Sequence, residues 1–161
     1  MGERGMNWQN DKAWADQFTR QIVEILRHNS AHILKIEVAP MEADSLHATD
    51  MIITVTGGNV AVRVRRDTSY RDFTIRSARA SGTKTELQKL REGFGDWYLY
   101  AWSQGDRITE WMLLDLHRIR QQGLLNREWP ERLNKDGRTS FIAIPISVLA
   151  LNACIVTKDM D

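Results

Sequence analysis

The feature that most constrains this chain is one local run, Asp50 to Arg66, in which two β-rich stretches flank Gly57-Gly58. Two glycines between such stretches predict a two-residue hairpin of the primed type, whose twist suits paired strands. That turn sets the register, because a slip of a single residue exchanges the two faces. Pairing outward from the glycines puts Thr56 opposite Asn59, Thr54 opposite Ala61, Ile52 opposite Arg63 and Asp50 opposite Arg65. One face then carries Met51, Ile53, Val55, Val60, Val62 and Val64, and must lie on a core. The other carries Asp50, Ile52, Thr54, Thr56, Asn59, Ala61, Arg63 and Arg65, and faces water or a site. A third run, Asp72 to Ser77, is expected to extend the hairpin into an antiparallel meander. Phe73 and Ile75 would then point inward, and Arg63, Arg65 and Arg76 would share one sheet face with Asp50.

The rest of the chain supplies helices for such a sheet. Trp14, Phe18, Ile22, Ile25 and Leu26 recur at helical spacing and predict a helix from Asp11 to His28. His32 to Val38 alternates as a strand. Thr83 and Glu86 stand at capping-box spacing ahead of a short helix whose buried face is Leu87, Leu90 and Phe94, ended by Gly93. A second hairpin is expected from Trp97 to Ser103 and Ile108 to Asp115, followed by a helix from about Leu116. The tail, Ser140 to Val156, reads as strand, short helix and strand, with Pro145 placing the first of these on an edge. Residues 1–161 thus read as a single α/β domain, a mixed β-sheet flanked by helices.

Composition narrows the partners. The single cysteine, Cys154, excludes an intramolecular disulfide and any multi-cysteine metal cluster. Its neighbours Ala153, Ile155 and Val156 mark it as an inert core thiol. No apolar run approaches the ~20 residues of a membrane span, and the N-terminus lacks a signal-like apolar core. A cytoplasmic protein with no membrane partner is therefore expected. Net charge is only +1, yet Arg63 to Arg91 holds nine basic residues against Asp67, Asp72 and Glu86. That local surplus of six can make a positive face. Of the six Trp, most are expected to be core anchors.

The order helix, strand, Asp-initiated hairpin, helix, strand resembles the PD-(D/E)XK (restriction-endonuclease-like) nuclease fold over about residues 11–115. The stretch that carries it runs from Thr49-Asp50 through Gly57-Gly58 to Arg63-Val-Arg65. The resemblance implies a restriction-endonuclease-like mixed sheet in which Asp50 matches the family aspartate. In that family the carboxylates hold a divalent metal that activates water and stabilises the pentavalent phosphate, and a lysine helps position the nucleophile. Here Arg63 occupies the second carboxylate position and Arg65 the lysine position, and a guanidinium repels a cation. Glu86 or Glu37 could supply a migrated carboxylate, with Lys89 or Lys35 as the amine, and Glu24 a first-helix carboxylate. The segments Phe73-Thr-Ile-Arg-Ser, Thr85-Glu86-Leu and Gly95-Asp96-Trp97 are also similar to uncharacterised phage-encoded proteins, from which no function is carried over.

Three functions follow as expectations. The first is nucleic-acid binding through the phosphate backbone by a nuclease-like domain with an altered catalytic motif and no cofactor. Arg63, Arg65 and Arg76 would contact phosphates and Tyr70 would stack on bases. The second is an active divalent-metal-dependent nuclease with migrated residues, in which Asp50 holds Mg²⁺ or Mn²⁺ and Glu86 and Lys89 join the catalytic set. The third is a phage or host-defence protein-interaction module that uses an exposed apolar patch near Trp97, Tyr98 and Trp102. Oligomeric state, a homodimer included, stays open.

Overall fold

The computed structural model describes residues 10, 12–29, 37–38, 51–55, 58–66, 70–135 and 137–160. It is a mixed α/β structure with two sheets. The first described elements are a helical stretch over 12–16 and α1, Thr19–Asn29. Strands β1 (Glu37–Val38), β2 (Met51–Val55) and β3 (Gly58–Arg66) follow, then β4 (Asp72–Arg79) and the short helix α2 (Glu86–Arg91). Next come β5 (Trp97–Gln104), β6 (Arg107–Asp115) and α3 (Leu116–Gln121). The last elements are β7 (Glu131–Leu133), β8 (Thr139–Pro145), α4 (Ile146–Leu151) and β9 (Ile155–Asp159).

Among the described residues the first sheet has six strands, in the order β1-β2-β3-β5-β6-β9. Its pairs are antiparallel except β3 with β5, which run parallel from Val60 opposite Trp97 to Arg66 opposite Ser103. A parallel pair needs a long crossover, and residues 67–96, with β4 and α2 among them, supply it. The second sheet is antiparallel, in the order β4-β8-β7.

The two faces of the first sheet bury two separate cores. On one, Val60, Val62 and Val64 join Leu99, Ala101, Trp111 and Leu113 under Phe18, Ile22 and Leu26 of the N-terminal helical segment. On the other, Ala61, Tyr98, Tyr100, Trp102, Met112 and Leu114 meet Phe73, Ile75, Ile142 and Ile144 of the second sheet and Leu87 and Leu90 of α2. The alternation of β3 therefore sends its valines to the α1 side and Ala61, Arg63 and Arg65 toward the second sheet. Cys154 is fully buried, as its neighbours imply. No helix among the described residues is long and apolar enough to cross a membrane.

Four expectations need correction. First, β4 does not extend the hairpin; β5 takes the place beside β3, and β4 pairs with β8. Phe73 and Ile75 are buried as expected, but against the face of the first sheet rather than in line with it. Second, the β2–β3 register lies two residues from the expected one: Thr54 faces Asn59, Ile52 faces Ala61 and Val55 faces Gly58. A shift of two keeps every side chain on its face. Its cause is distant. The Asp96 carboxylate accepts the Asn59 N–H at 2.8 Å and the Asp96 N–H donates to the Asn59 carbonyl at 3.0 Å. This clamp draws Gly58 into the strand, where a Cβ would lie 3.1 Å from Trp97 Nε1. The proposed partner of Arg65, Asp50, lies outside the described residues. Third, Thr85 and not Thr83 caps α2: its hydroxyl accepts from Gln88 N–H and the Gln88 side chain accepts from Thr85 N–H. Fourth, Pro145 ends the central strand of its sheet rather than an edge strand. It is tolerated because β7 reaches only from Ser140 to Ile142 along β8, leaving no second ladder at Pro145.

Candidate functional site

Arg63 and Arg65, the two arginines of β3 that face the second sheet, do not form a free surface. Arg63 Nη1 lies 2.9 Å from Glu86 Oε2, with the two side chains 13% and 1% exposed. Glu86 Oε2 also accepts the Arg76 N–H at 3.0 Å, and Oε1 accepts the Tyr98 hydroxyl at 2.6 Å. Arg63 Nη1 donates further to the Thr74 carbonyl at 3.3 Å. The Tyr100 hydroxyl meets Thr74 Oγ1 at 2.6 Å and receives the Thr74 N–H at 3.4 Å.

This network has a simple origin. β4 pairs with β8 along one side only, so the backbone groups of Thr74 and Arg76 on its other side face inward unpaired. Buried backbone groups must find partners. Arg63, Glu86 and Tyr100 supply them in place of a neighbouring strand. Glu86 is thus the first residue of α2 but caps β4, and its place in a Thr83 capping box is lost. Lys89, one turn further along α2, is also buried at 7% exposure.

Arg65 lies two residues beyond Arg63 on the same face, opposite Trp102 in the parallel ladder. Its Nη1 is buried and has no hydrogen-bond partner among the described residues. The Trp102 indole donates to the Tyr70 carbonyl at 3.2 Å, and Tyr70 itself is 63% exposed. Arg71 lies over the Trp102 ring at 5.3 Å and is ion-paired with Glu110. Arg76 contributes its backbone to the Glu86 cluster, while its side chain follows Thr74 to the opposite face from Phe73 and Ile75. The structure therefore brings together Arg63, Glu86 and the Arg76 backbone and sets Arg65 and Tyr70 around Trp102. It does not set Arg63, Arg65 and Arg76 on one exposed face.

The donor set does not fit a divalent cation. Such an ion wants several open carboxylate or carbonyl oxygens, and both Glu86 oxygens already accept from N–H or O–H groups. Among the described residues no group of three or more His, Cys, Asp or Glu could hold a metal ion. Asp50 and Lys35 lie outside the described residues, as does the Glu37 side chain. Glu24 is on the surface, bonded to Arg20 at 3.1 Å. Burial raises the Cys154 thiol above its ordinary value, which makes it a poor nucleophile. The apolar patch expected near Trp97, Tyr98 and Trp102 is absent as a surface, because Tyr98 and Trp102 are fully buried.

A second charged group was invisible in the sequence. Asp96 accepts from Asn59 N–H and its other oxygen lies 2.8 Å from His117 Nε2. Arg120 caps the end of α2 nearby, donating to the carbonyls of Leu90, Phe94 and Gly95. The bond from Asn59 holds the Asp96 carboxyl below its ordinary value, helped by His117 and Arg120 against burial. A carboxyl depressed in the folded state stabilises the fold above its unfolded value, near 3.8, and loses that contribution as the pH falls through the folded value. Asp96→Asn is accordingly expected to cost about 1 kcal/mol at neutral pH, the low end for a charge-assisted bond beside a well-exposed histidine. Urea unfolding should show the difference between the two proteins shrinking as the pH falls below about 3.8; a difference that stays constant through that fall would refute the assignment.

Comparison with protein-family models and with curated proteins finds no match to the chain.

Proposed function

We propose that this chain is a non-catalytic nucleic-acid-binding domain on a nuclease-like core, which contacts its partner through the phosphate backbone. The observation that carries this reading is Arg65, whose buried Nη1 has no hydrogen-bond partner among the described residues. A desolvated guanidinium nitrogen without a partner is costly; Arg65 as a whole is only half-buried, so its side chain would turn outward to meet a phosphate oxygen in the geometry arginine favours. Tyr70, held through its carbonyl by the same Trp102 that pairs with Arg65 in the ladder, is exposed. The element order on one mixed sheet supports the nuclease-like core. The guanidinium of Arg63 on Glu86 supports a loss of metal chemistry, since a positive group stands where the resemblance asks for a carboxylate. Arg63 then serves the fold, and the phosphate contacts fall to Arg65 and the outward arginines of the second sheet.

Phosphate-led binding should weaken steeply with salt and depend little on sequence. With about three contacts, the log–log salt slope should be about −2 to −3. Arg65→Ala should reduce it by about one unit. Fluorescence anisotropy with labelled oligonucleotides, started at ~50 mM salt where such contacts are strong, measures both. No binding there at micromolar protein, or a slope untouched by Arg65→Ala, overturns the reading. Cleavage in Mn²⁺ that Asp50→Asn abolishes would replace it with the migrated-site nuclease.

A further inference from the structure

The outward face of the second sheet is unlike the network beneath it. Arg76 of β4 pairs with Phe141 of β8, and Phe141 pairs in turn with Arg132 of β7. Directly opposed residues share a face, with Cβ atoms about 5 Å apart. The three side chains therefore form one row across the sheet, with the ring in the middle. Arg79 joins the same face through Thr139, beyond the bulge after Arg76. Ala143, the next outward residue of β8, leaves room beside the ring.

Phe141 belongs to neither buried core, although its neighbours Ile142 and Ile144 do. It is half-buried, Arg132 is exposed and Arg76 is half-buried. Among the described residues neither the Arg76 nor the Arg132 guanidinium has an ion-pair partner, and the Phe141 ring has no aromatic or cationic contact. Glu131, the carboxylate next to Arg132, pairs with Ile142 and so belongs to the other face, where it accepts from the Ser77 hydroxyl. The row is an aromatic platform between two cations.

We infer that this face binds single-stranded nucleic acid, with a base stacked on Phe141 and the flanking phosphates held by Arg76 and Arg132. The inference rests on the phosphate-binding reading above and adds to it the kind of strand. Charge complementarity chooses a polyanion. The platform chooses an unpaired strand, because the faces of bases inside a duplex are already stacked on their neighbours, whereas a free strand offers them to aromatic side chains.

The test uses the full chain and a labelled oligothymidylate of about 16 nucleotides, the upper range for such sites, beside a duplex of equal length. The single strand should bind more tightly than the duplex. Phe141→Leu, which keeps apolar bulk without a π face, should weaken single-strand binding about 5- to 150-fold and leave the salt slope unchanged. Phe141→Tyr should retain the affinity. Replacing Arg76 and Arg132 by Ala should reduce the slope by nearly two units. Thermal unfolding of each variant separates lost binding from lost fold, and the tyrosine variant gives a folded reference for the ring. Equal binding of both oligonucleotides, or wild-type affinity in a folded Phe141→Leu protein, overturns the inference and leaves phosphate-led binding standing. Absence of any binding at low salt overturns both.

Discussion

Glu86→Gln is expected to destabilise the fold by about 3–5 kcal/mol, the usual cost of removing one partner from a buried ion pair. Urea unfolding should show this as a lower midpoint with an unchanged slope. The amide has nearly the size of the carboxylate, so packing is not the cause. Glu86 faces three donors: Arg63 and the Arg76 N–H on one oxygen, and the Tyr98 hydroxyl on the other. An amide carries one acceptor oxygen, so it can keep Arg63 and the Arg76 N–H only by turning its NH₂ group to the Tyr98 hydroxyl, which must then accept instead of donate. The Arg63 charge also loses its ion pair with Glu86. Arg63→Met combined with Glu86→Leu should recover part of this loss, because apolar pairs often replace buried ion pairs at little cost. Recovery should be incomplete, since the Arg76 N–H and the Thr74 carbonyl lose their partners at about 1–3 kcal/mol each. A Glu86→Gln protein within about 1 kcal/mol of the wild type would show that the pair does not hold β4 in place.

That pair also explains which parts of the fold were legible. The β5–β6 hairpin was read to within a residue, because its signal is local: two β-rich runs and a turn that Gly105 enters at φ 60°. The strand–helix–strand tail was legible for the same reason, whereas the helix expected as one run from Asp11 to His28 is broken by a turn at 17–18 ahead of α1. The position of β4 was not legible. Ala61, Arg63 and Arg65 alternate with valines, and such alternation ordinarily means a solvated face. Here the polar face is covered, and what permits it is a carboxylate 23 residues further along the chain. Periodicity cannot distinguish an arginine in water from an arginine paired under a second sheet. The cap of α2 failed more narrowly. Thr83 with Glu86 and Thr85 with Gln88 both have capping-box spacing, and only the burial of Glu86 against Tyr98 decides between them. Arg65 was singled out for its place on the polar face of the hairpin, but its surroundings depend on β5, which the sequence did not place beside β3.

Gly95→Ala is expected to cost about 2–4 kcal/mol, the sum of a left-handed backbone and a packing clash. Gly95 sits at φ 77°, a conformation that costs a residue with a Cβ about 1–2 kcal/mol. A Cβ there would also lie 2.9 Å from Leu116 Cδ1. Leu116 is fully buried in the core between the sheets, so its tip cannot swing into water. Gly123→Ala provides the comparison. Gly123 has φ 65° but nothing within 4 Å of the added Cβ, so only the backbone cost of about 1–2 kcal/mol should appear. The difference between the two variants in urea unfolding isolates the contact with Leu116. Equal losses would mean that Leu116 yields, and that the entry to β5 is softer than its burial implies. The consequence reaches beyond stability. The Gly95 carbonyl accepts from Arg120 at 2.8 Å, and the next residue, Asp96, fixes Asn59 at the head of β3. A displaced Gly95 should loosen the clamp that aligns β3 with β5. The ladder that sets Arg65 beside Trp102 should then loosen with it, so Gly95→Ala is also expected to weaken phosphate-led binding while Gly123→Ala leaves it unchanged.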